Sequence, residues 1–193
     1  YERFYRRNEM RKVNWAAVTA SSDGDFEKLP AGPYVAIITD ATDRDDRQYV
    51  EVVYDIAEGE HKGFYSDDWG KQHPCAHRIF MSYKETALGM LKGRLEAIQS
   101  SNPGFDAFAA WDAGRLDMFR NRLVGINLQE EEYERNDDGD TGVRLNVAQV
   151  VDAQKVRDGL VKTRERKTLD AKRAHVPTKQ SEKDAFNNVD IPF

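Results

Sequence analysis

Residues 48–56 read QYVEVVYDI, and this stretch gives the clearest indication of the fold. Every second residue is apolar and lies on one face of an extended chain, namely Val50, Val52, Tyr54 and Ile56. This period of two is typical of a β-strand that buries one face and leaves the other face available. The intervening residues begin with Tyr49, whose ring is therefore predicted to point outward.

Further strands are predicted on both sides of this one. A β-branched run over residues 34–39 follows the turn residues Pro30, Gly32 and Pro33. A third extended piece is predicted to begin at residues 64–69 and to continue at 77–83. Two more strands are predicted at 119–134 and 143–153, and the Gly/Asp-rich turn 135–142 between them predicts a hairpin.

One helix interrupts this series. Residues 84–104 read KETALGMLKGRLEAIQSSNPG, in which four apolar side chains recur at helical spacing, namely Leu88, Leu91, Leu95 and Ile98. Pro103 and Gly104 are expected to stop this helix, and one helical turn is expected within the loop 105–117.

The predicted order is strand, strand, strand, helix, strand, strand, which is the order of an OB-fold. We therefore predict a mainly β protein, a five-stranded OB-fold barrel with one helix, over residues 29–158. Residues 1–28 are predicted to form an N-terminal extension. Residues 159–193 are charged and poor in large apolar groups, so they are predicted to be a disordered linker. The alternative is another small α+β domain.

Composition limits the functional classes. The 193 residues carry a formal net charge of −5, which argues mildly against a non-specific nucleic-acid binder unless a local basic groove exists. One cysteine, Cys75, excludes an internal disulfide framework and indicates a reducing compartment. No apolar run predicts a membrane span, and no signal peptide is apparent, so we expect a cytoplasmic location and no membrane partner.

Residues 187–193 read NNVDIPF, which is an unusual close for so charged a chain. The last four residues, Asp190, Ile191, Pro192 and Phe193, resemble the acidic tip of the bacterial single-stranded DNA-binding (SSB) proteins. That resemblance implies a tail that docks into pockets on replication, recombination and repair enzymes. The sequence departs from the SSB pattern because it has fewer acids at the tip and more Lys and Arg in the linker.

The body of the chain resembles a family of OB-fold single-stranded DNA-binding proteins from phages and mobile elements. Three stretches carry the resemblance, namely 29–41, LPAGPYVAIITDA, 48–65, QYVEVVYDIAEGEHKGFY, and 82–106, SYKETALGMLKGRLEAIQSSNPGFD. It implies non-enzymatic, sequence-tolerant binding of single-stranded DNA in a bacterial host, without a cofactor. Oligomeric state, including a homo-oligomer, is left open.

Binding single-stranded DNA without sequence preference requires aromatic faces for bases and cations for phosphates. Both kinds of side chain occur near the predicted second, third and fourth strands, where an OB-fold binds its ligands. The predicted DNA-binding residues are Tyr49, Phe64, Tyr65, Trp69, Arg78, Phe80, Tyr83, Lys84, Arg120 and Arg122. Arg120 and Arg122 are expected to share one face of the fourth strand. For any single aromatic residue in this set, packing in the core is the competing interpretation.

Other chemistry has weaker support in the sequence. His61, His73, Cys75 and His77 could form a zinc site, but their spacing matches no known finger, so no metal is predicted. A metal-dependent nuclease or recombination enzyme that uses central acids is the alternative function, with Asp67, Asp68 and Asp112 as its ligands. A DNA mimic acting through the acidic segment 129–140 is a third, weaker hypothesis.

Overall fold

The computed structural model describes residues 29–66, 77–134 and 141–169. Within these ranges the chain forms five strands and three helices. The strands are β1, Gly32–Arg44, β2, Tyr49–Ile56, β3, Arg78–Ser82, β4, Leu123–Glu134, and β5, Thr141–Val151. The helices are α1, Leu88–Ser101, α2, Ala107–Asp112, and α3, Ala153–Arg157. Short 3-10 turns lie at Asp45–Arg47, Glu85–Ala87 and Leu116–Phe119.

All five strands belong to one sheet, in the order β3-β2-β1-β4-β5. Each neighbouring pair is antiparallel. The mainly β architecture and the strand order agree with the predicted OB-fold, and the predicted hairpin is the β4–β5 pair. The sheet is not closed into a barrel among the described residues, where β3 and β5 are its edges. β3 has only five residues and offers little backbone for a second ladder.

The alternation that predicted β2 is confirmed by its burial. The predicted inward residues are almost fully buried, with 1–3% of each side chain exposed: Val50, Val52, Tyr54 and Ile56. They pack in one core with Ile38 of β1, Ile79 of β3 and Ile126 of β4. A bulge between Ile38 and Asp40 shifts the register of β1 against β2. The core therefore lies on one side of the sheet, and the other side is the outer face.

Helix α1 covers part of this core. Leu91, Leu95 and Ile98 are buried, as their spacing predicts. Leu88 is 48% exposed because it is the first residue of the helix. Asn102 follows the helix directly. Its side-chain amide donates to the Ile98 carbonyl and to the Leu123 carbonyl at the start of β4.

The predicted third extended piece is wrong at its start. Residues 57–66 form turns, and the third strand begins only at Arg78. Residues 67–69 lie outside the described residues, as do the N-terminal extension 1–28 and the tip of the β4–β5 hairpin. The described part of the chain contains no helix with the length and apolar character needed to cross a membrane.

Residues 159–169 return to the sheet, and we call this segment the C-terminal strap. β1 pairs with β4 only as far as Leu128, and beyond that point the strap lies beside β4. Glu131 and Lys167 form a parallel bridge, in which the Lys167 amide donates to the Glu130 carbonyl over 2.9 Å. The prediction of a disordered linker over residues 159–193 is therefore wrong for residues 159–169, whose backbone is held by polar contacts with β4. Residues 170–193 lie outside the described residues.

Candidate nucleic-acid interface

The outer face of β1, β2 and β3 carries the residues that alternate with the buried ones. Because residues opposite each other in a ladder project to the same side, the register places this face in three rows. The rows are Asp40–Val53–Arg78, Thr42–Glu51–Phe80 and Arg44–Tyr49–Ser82. In an OB-fold this is the surface on which strands two and three meet a ligand.

Two aromatic rings meet at the centre of this face. Tyr49 and Phe80 lie edge-to-face, with ring centroids 5.2 Å apart and planes at 83°. Such a pair contributes about 0.5–1.5 kcal/mol beyond its buried area. Tyr49 is half-buried, whereas Phe80 is 49% exposed. Phe80 therefore has a large part of its ring exposed, and Tyr49 packs against the rest.

A buried carboxylate fixes two arginines beside these rings. Glu51 is only 6% exposed, and its Oε1 lies 2.9 Å from Arg78 Nη1. Its Oε2 lies 3.7 Å from Arg44 Nε. One carboxylate thus contacts two guanidinium groups. Burial and pairing also hold both groups close to the sheet.

The turn after β3 is joined to the β1–β2 turn. The Tyr83 hydroxyl donates to Asp43 Oδ1 over 3.1 Å and lies 3.3 Å from Asp45 Oδ1. Partial desolvation and these carboxylates raise the pKa of Tyr83 to about 12, so its hydroxyl stays protonated at neutral pH. Lys84 follows it and is exposed.

The two predicted aromatic residues of the β2–β3 connection are not on the outer face. Phe64 is half-buried, with its ring edge-on to His61 and Tyr65. Tyr65 is 6% exposed and stacks on His77, with centroids 4.7 Å apart. Burial raises the pKa of Tyr65 to about 12. The Tyr65 ring is thus part of the core, and Trp69 lies outside the described residues.

Arg120 and Arg122 precede the fourth strand instead of sharing one of its faces, which corrects the prediction. β4 begins at Leu123, and Asn121 between the two arginines has φ +62°. Arg120 Nη2 lies 2.6 Å from Asp40 Oδ1, a hydrogen bond that lowers the pKa of Asp40 and brings Arg120 to the first outer row. Arg122 turns away, with its guanidinium 4.4 Å from the Phe105 ring centroid.

The residues of the weaker metal hypotheses are not brought together in the described structure. Asp112 is exposed at the end of α2, and His77 is buried against Tyr65 and Tyr54. Asp67, Asp68, His73 and Cys75 lie outside the described residues. Among the residues that are described, no group of three or more His, Cys, Asp and Glu side chains is arranged to hold a metal ion.

His77 predicts a pH dependence of stability. Burial lowers its pKa below the ordinary 6.5, Arg78 acts in the same direction and Asp55 acts against it. The unfolded chain therefore binds this proton more tightly, so the stabilisation is complete above pH 6.5 and is lost as pH falls through the folded pKa. We expect the free energy of unfolding, measured in urea, to fall from about pH 7 to about pH 5.

The variant His77→Phe keeps a ring against Tyr65 and removes the proton site, so its decline over this range should be smaller. His61→Gln is the matched control and should decline as the wild type does. Equal declines in the wild type and His77→Phe would contradict the assignment to His77.

Arg44 and Glu51, which together with Arg78 form the ion pairs at the centre of this face, were not among the predicted residues. The period of two in β2 already places Glu51 on the face of Tyr49, which was the available signal. The arginine partners of Glu51 follow only from the pairing of β2 with β3 and with β1, and the sequence does not show which residues that pairing brings opposite each other.

No protein-family model matches this chain, and no curated protein is significantly similar to it.

Proposed function

We propose that this protein binds single-stranded DNA with little sequence preference, as a non-enzymatic component of replication or recombination in the cytoplasm of a bacterial host. One observation carries the proposal, the half-exposed Phe80 ring in perpendicular contact with Tyr49 on the outer face of β2 and β3. Every base has a flat face, so an exposed ring accepts any base by stacking.

The charges around this ring support the same proposal. Arg44 and Arg78 both contact Glu51 beside the aromatic pair, so two guanidinium groups lie next to the ring on which a base would stack. Arg120 lies at the end of the Arg78 row through its contact with Asp40. Proteins that bind single strands combine aromatic rings, on which bases stack, with basic side chains that pair with phosphates.

The proposal includes a recruiting role for residues 190–193, which lie outside the described structure. Support comes from their sequence, an Asp followed by Ile-Pro-Phe, which resembles the SSB tip. An aromatic side chain can fill a small apolar pocket of a partner, and proline lowers the conformational entropy lost on docking. The partners would be host or phage replication and recombination proteins.

Phe80→Ala should weaken binding to a fluorescein-labelled oligo-dT by roughly 5- to 150-fold, the equivalent of about 1–3 kcal/mol for one stacked base. Fluorescence anisotropy at several NaCl concentrations measures the dissociation constant. The slope of affinity against salt should stay the same, because no phosphate contact is removed.

Two control variants accompany this titration. Met90→Ala truncates a side chain that is 61% exposed on α1, away from the outer face, and should bind as the wild type does. Deletion of residues 190–193 should also leave the affinity unchanged. Wild-type affinity in Phe80→Ala would exclude this ring as the stacking site, and no wild-type binding at low salt would refute the proposed function.

A further inference from the structure

A second surface lies at the opposite edge of the sheet, between β5 and the C-terminal strap. There the chain encloses an open cleft of about 470 Å³. Gln149 and Val151 of β5 form one wall, Lys155 of α3 contributes from the end, and residues 160–164 of the strap form the other wall. Val150, between the two β5 residues, pairs with the buried Ile126, so Gln149 and Val151 project to the outer face.

Three basic side chains line this cleft without an ion-pair partner among the described residues. Lys155, Lys162 and Arg164 line it, and no described carboxylate lies within ion-pair distance of any of them. The other cations nearby are paired: Arg157 with Glu58 at 2.6 Å, Arg166 with Glu130 at 2.6 Å, and Lys167 with Glu131 at 3.9 Å. No acidic side chain lines the cleft. Its charge is therefore available to an anion.

The strap wall of the cleft is held in place by side chains of β4 and β5. The side-chain amide of Asn127 in β4, a residue that is 1% exposed, donates to the Lys162 carbonyl over 2.8 Å. The side-chain amide of Gln129 donates to the Glu165 carbonyl over 2.6 Å. Arg164 Nη2 lies 3.4 Å from Gln149 Oε1 across the cleft. The backbone that carries these cations is thus fixed before any ligand binds, which lowers the entropy lost on binding.

The neighbouring apolar side chains distinguish this cleft from a site for a small ion. Val151, Val161 and Leu160 line it, and Leu160 is 70% exposed. Lys162 and Arg164 are two residues apart in the strap, about 6–7 Å if the strap is extended. That distance is comparable to the separation of successive phosphates in a stretched strand. A polymer that offers repeated phosphates with sugars and bases between them satisfies both kinds of contact.

We propose that this cleft binds the phosphodiester backbone of single-stranded nucleic acid, as a second contact for a strand that crosses the outer face of the sheet. The inference rests on the proposed function and adds the path of the strand. Four strand spacings separate β3 from β5, a distance of about 19 Å along the sheet. Lys155, Lys162 and Arg164 would pair with phosphates, and the apolar side chains would contact sugars and bases.

The test uses the variant Lys155→Gln/Lys162→Gln/Arg164→Gln of the full chain with labelled oligo-dT. Each phosphate contact on a single strand contributes about 0.7 to the slope of log K against log salt. Removal of three contacts should lower the magnitude of that slope by about 2. The control Lys62→Gln/Lys92→Gln/Arg115→Gln changes the net charge equally at exposed positions outside the cleft and should retain the slope. Thermal melting by circular dichroism checks that both variants fold.

The outcomes separate this inference from the proposed function. A wild-type slope in the cleft variant overturns the inference and leaves the proposed function standing. Equal reductions in the cleft and control variants also overturn it, because net charge would then account for the effect. Absence of wild-type binding overturns both. If polyglutamate binds the wild type and not the cleft variant while the oligo-dT slope is unchanged, the cleft is a site for an acidic peptide and the inference is wrong.

Discussion

Asp55→Ala is expected to lower the free energy of unfolding by about 2–6 kcal/mol, from about 1–3 kcal/mol for each of two buried amides left without an acceptor. Asp55 is 7% exposed, and its Oδ1 accepts from the Ile56 amide over 2.7 Å and from the Tyr65 amide over 2.9 Å. Its Oδ2 accepts from the Ser66 hydroxyl. One carboxylate thus fixes both ends of the turn segment 57–66.

Urea denaturation followed by circular dichroism measures this loss. Asp55→Asn is the matched control, because its amide oxygen still accepts from both backbone amides and its NH₂ can donate to Ser66. The Asn variant should stay within about 1 kcal/mol of the wild type, the net contribution of one hydrogen bond. A loss below about 1 kcal/mol in the Ala variant would show that the turn segment does not depend on this carboxylate.

Phe119→Ala should lower the free energy of unfolding by about 3–5 kcal/mol, the usual cost of removing a buried aromatic side chain. Phe119 is 1% exposed at the end of the 3-10 turn before β4. Its ring lies edge-on to Phe105, with centroids 5.4 Å apart, and to Trp111, with centroids 6.4 Å apart. Truncation therefore leaves a cavity between α2, its preceding loop and the sheet.

The same denaturation experiment applies, with Phe119→Leu as the control. Leucine fills most of the volume and should lose less than about 1.5 kcal/mol if the neighbours repack. Equal losses for the Ala and Leu variants would mean that ring geometry, and not filled volume, determines the stability here. A negligible loss for the Ala variant would contradict the placement of Phe119 in the core.

The strands and the long helix could be predicted because their apolar periods match the faces they bury. Val50, Val52 and Tyr54 follow the period of two, and Leu91 and Leu95 follow the helical period. The predicted closure into a barrel is not found among the described residues, because closure depends on pairing between strands that are distant in sequence and leaves no local pattern. The packing of the strap on β4 could not be predicted from the sequence for a different reason. Its contacts with Asn127 and Gln129 are polar, so they leave no apolar periodicity in the sequence.

The candidate interface was partly predictable for a related reason. Alternation places Tyr49 on the outer face, and the pairing with β3 brings Phe80 beside it. Tyr65 looked equivalent in the sequence, because the pattern of a single segment does not show whether an aromatic side chain turns inward. Which basic side chains are paired with a carboxylate, and which are not, likewise depends on the fold. Arg78 meets Glu51 only through the ladder between β2 and β3.

The strap has a consequence for the motions of the protein. It is joined to β4 by hydrogen bonds to residues more than thirty positions earlier in the chain, and opening these bonds would not require the β1–β2 and β4–β5 ladders to open. The cleft exists only while the strap is attached, because the strap forms one of its walls. A ligand in the cleft would therefore favour the attached state and slow amide hydrogen exchange at Lys167 and Glu132.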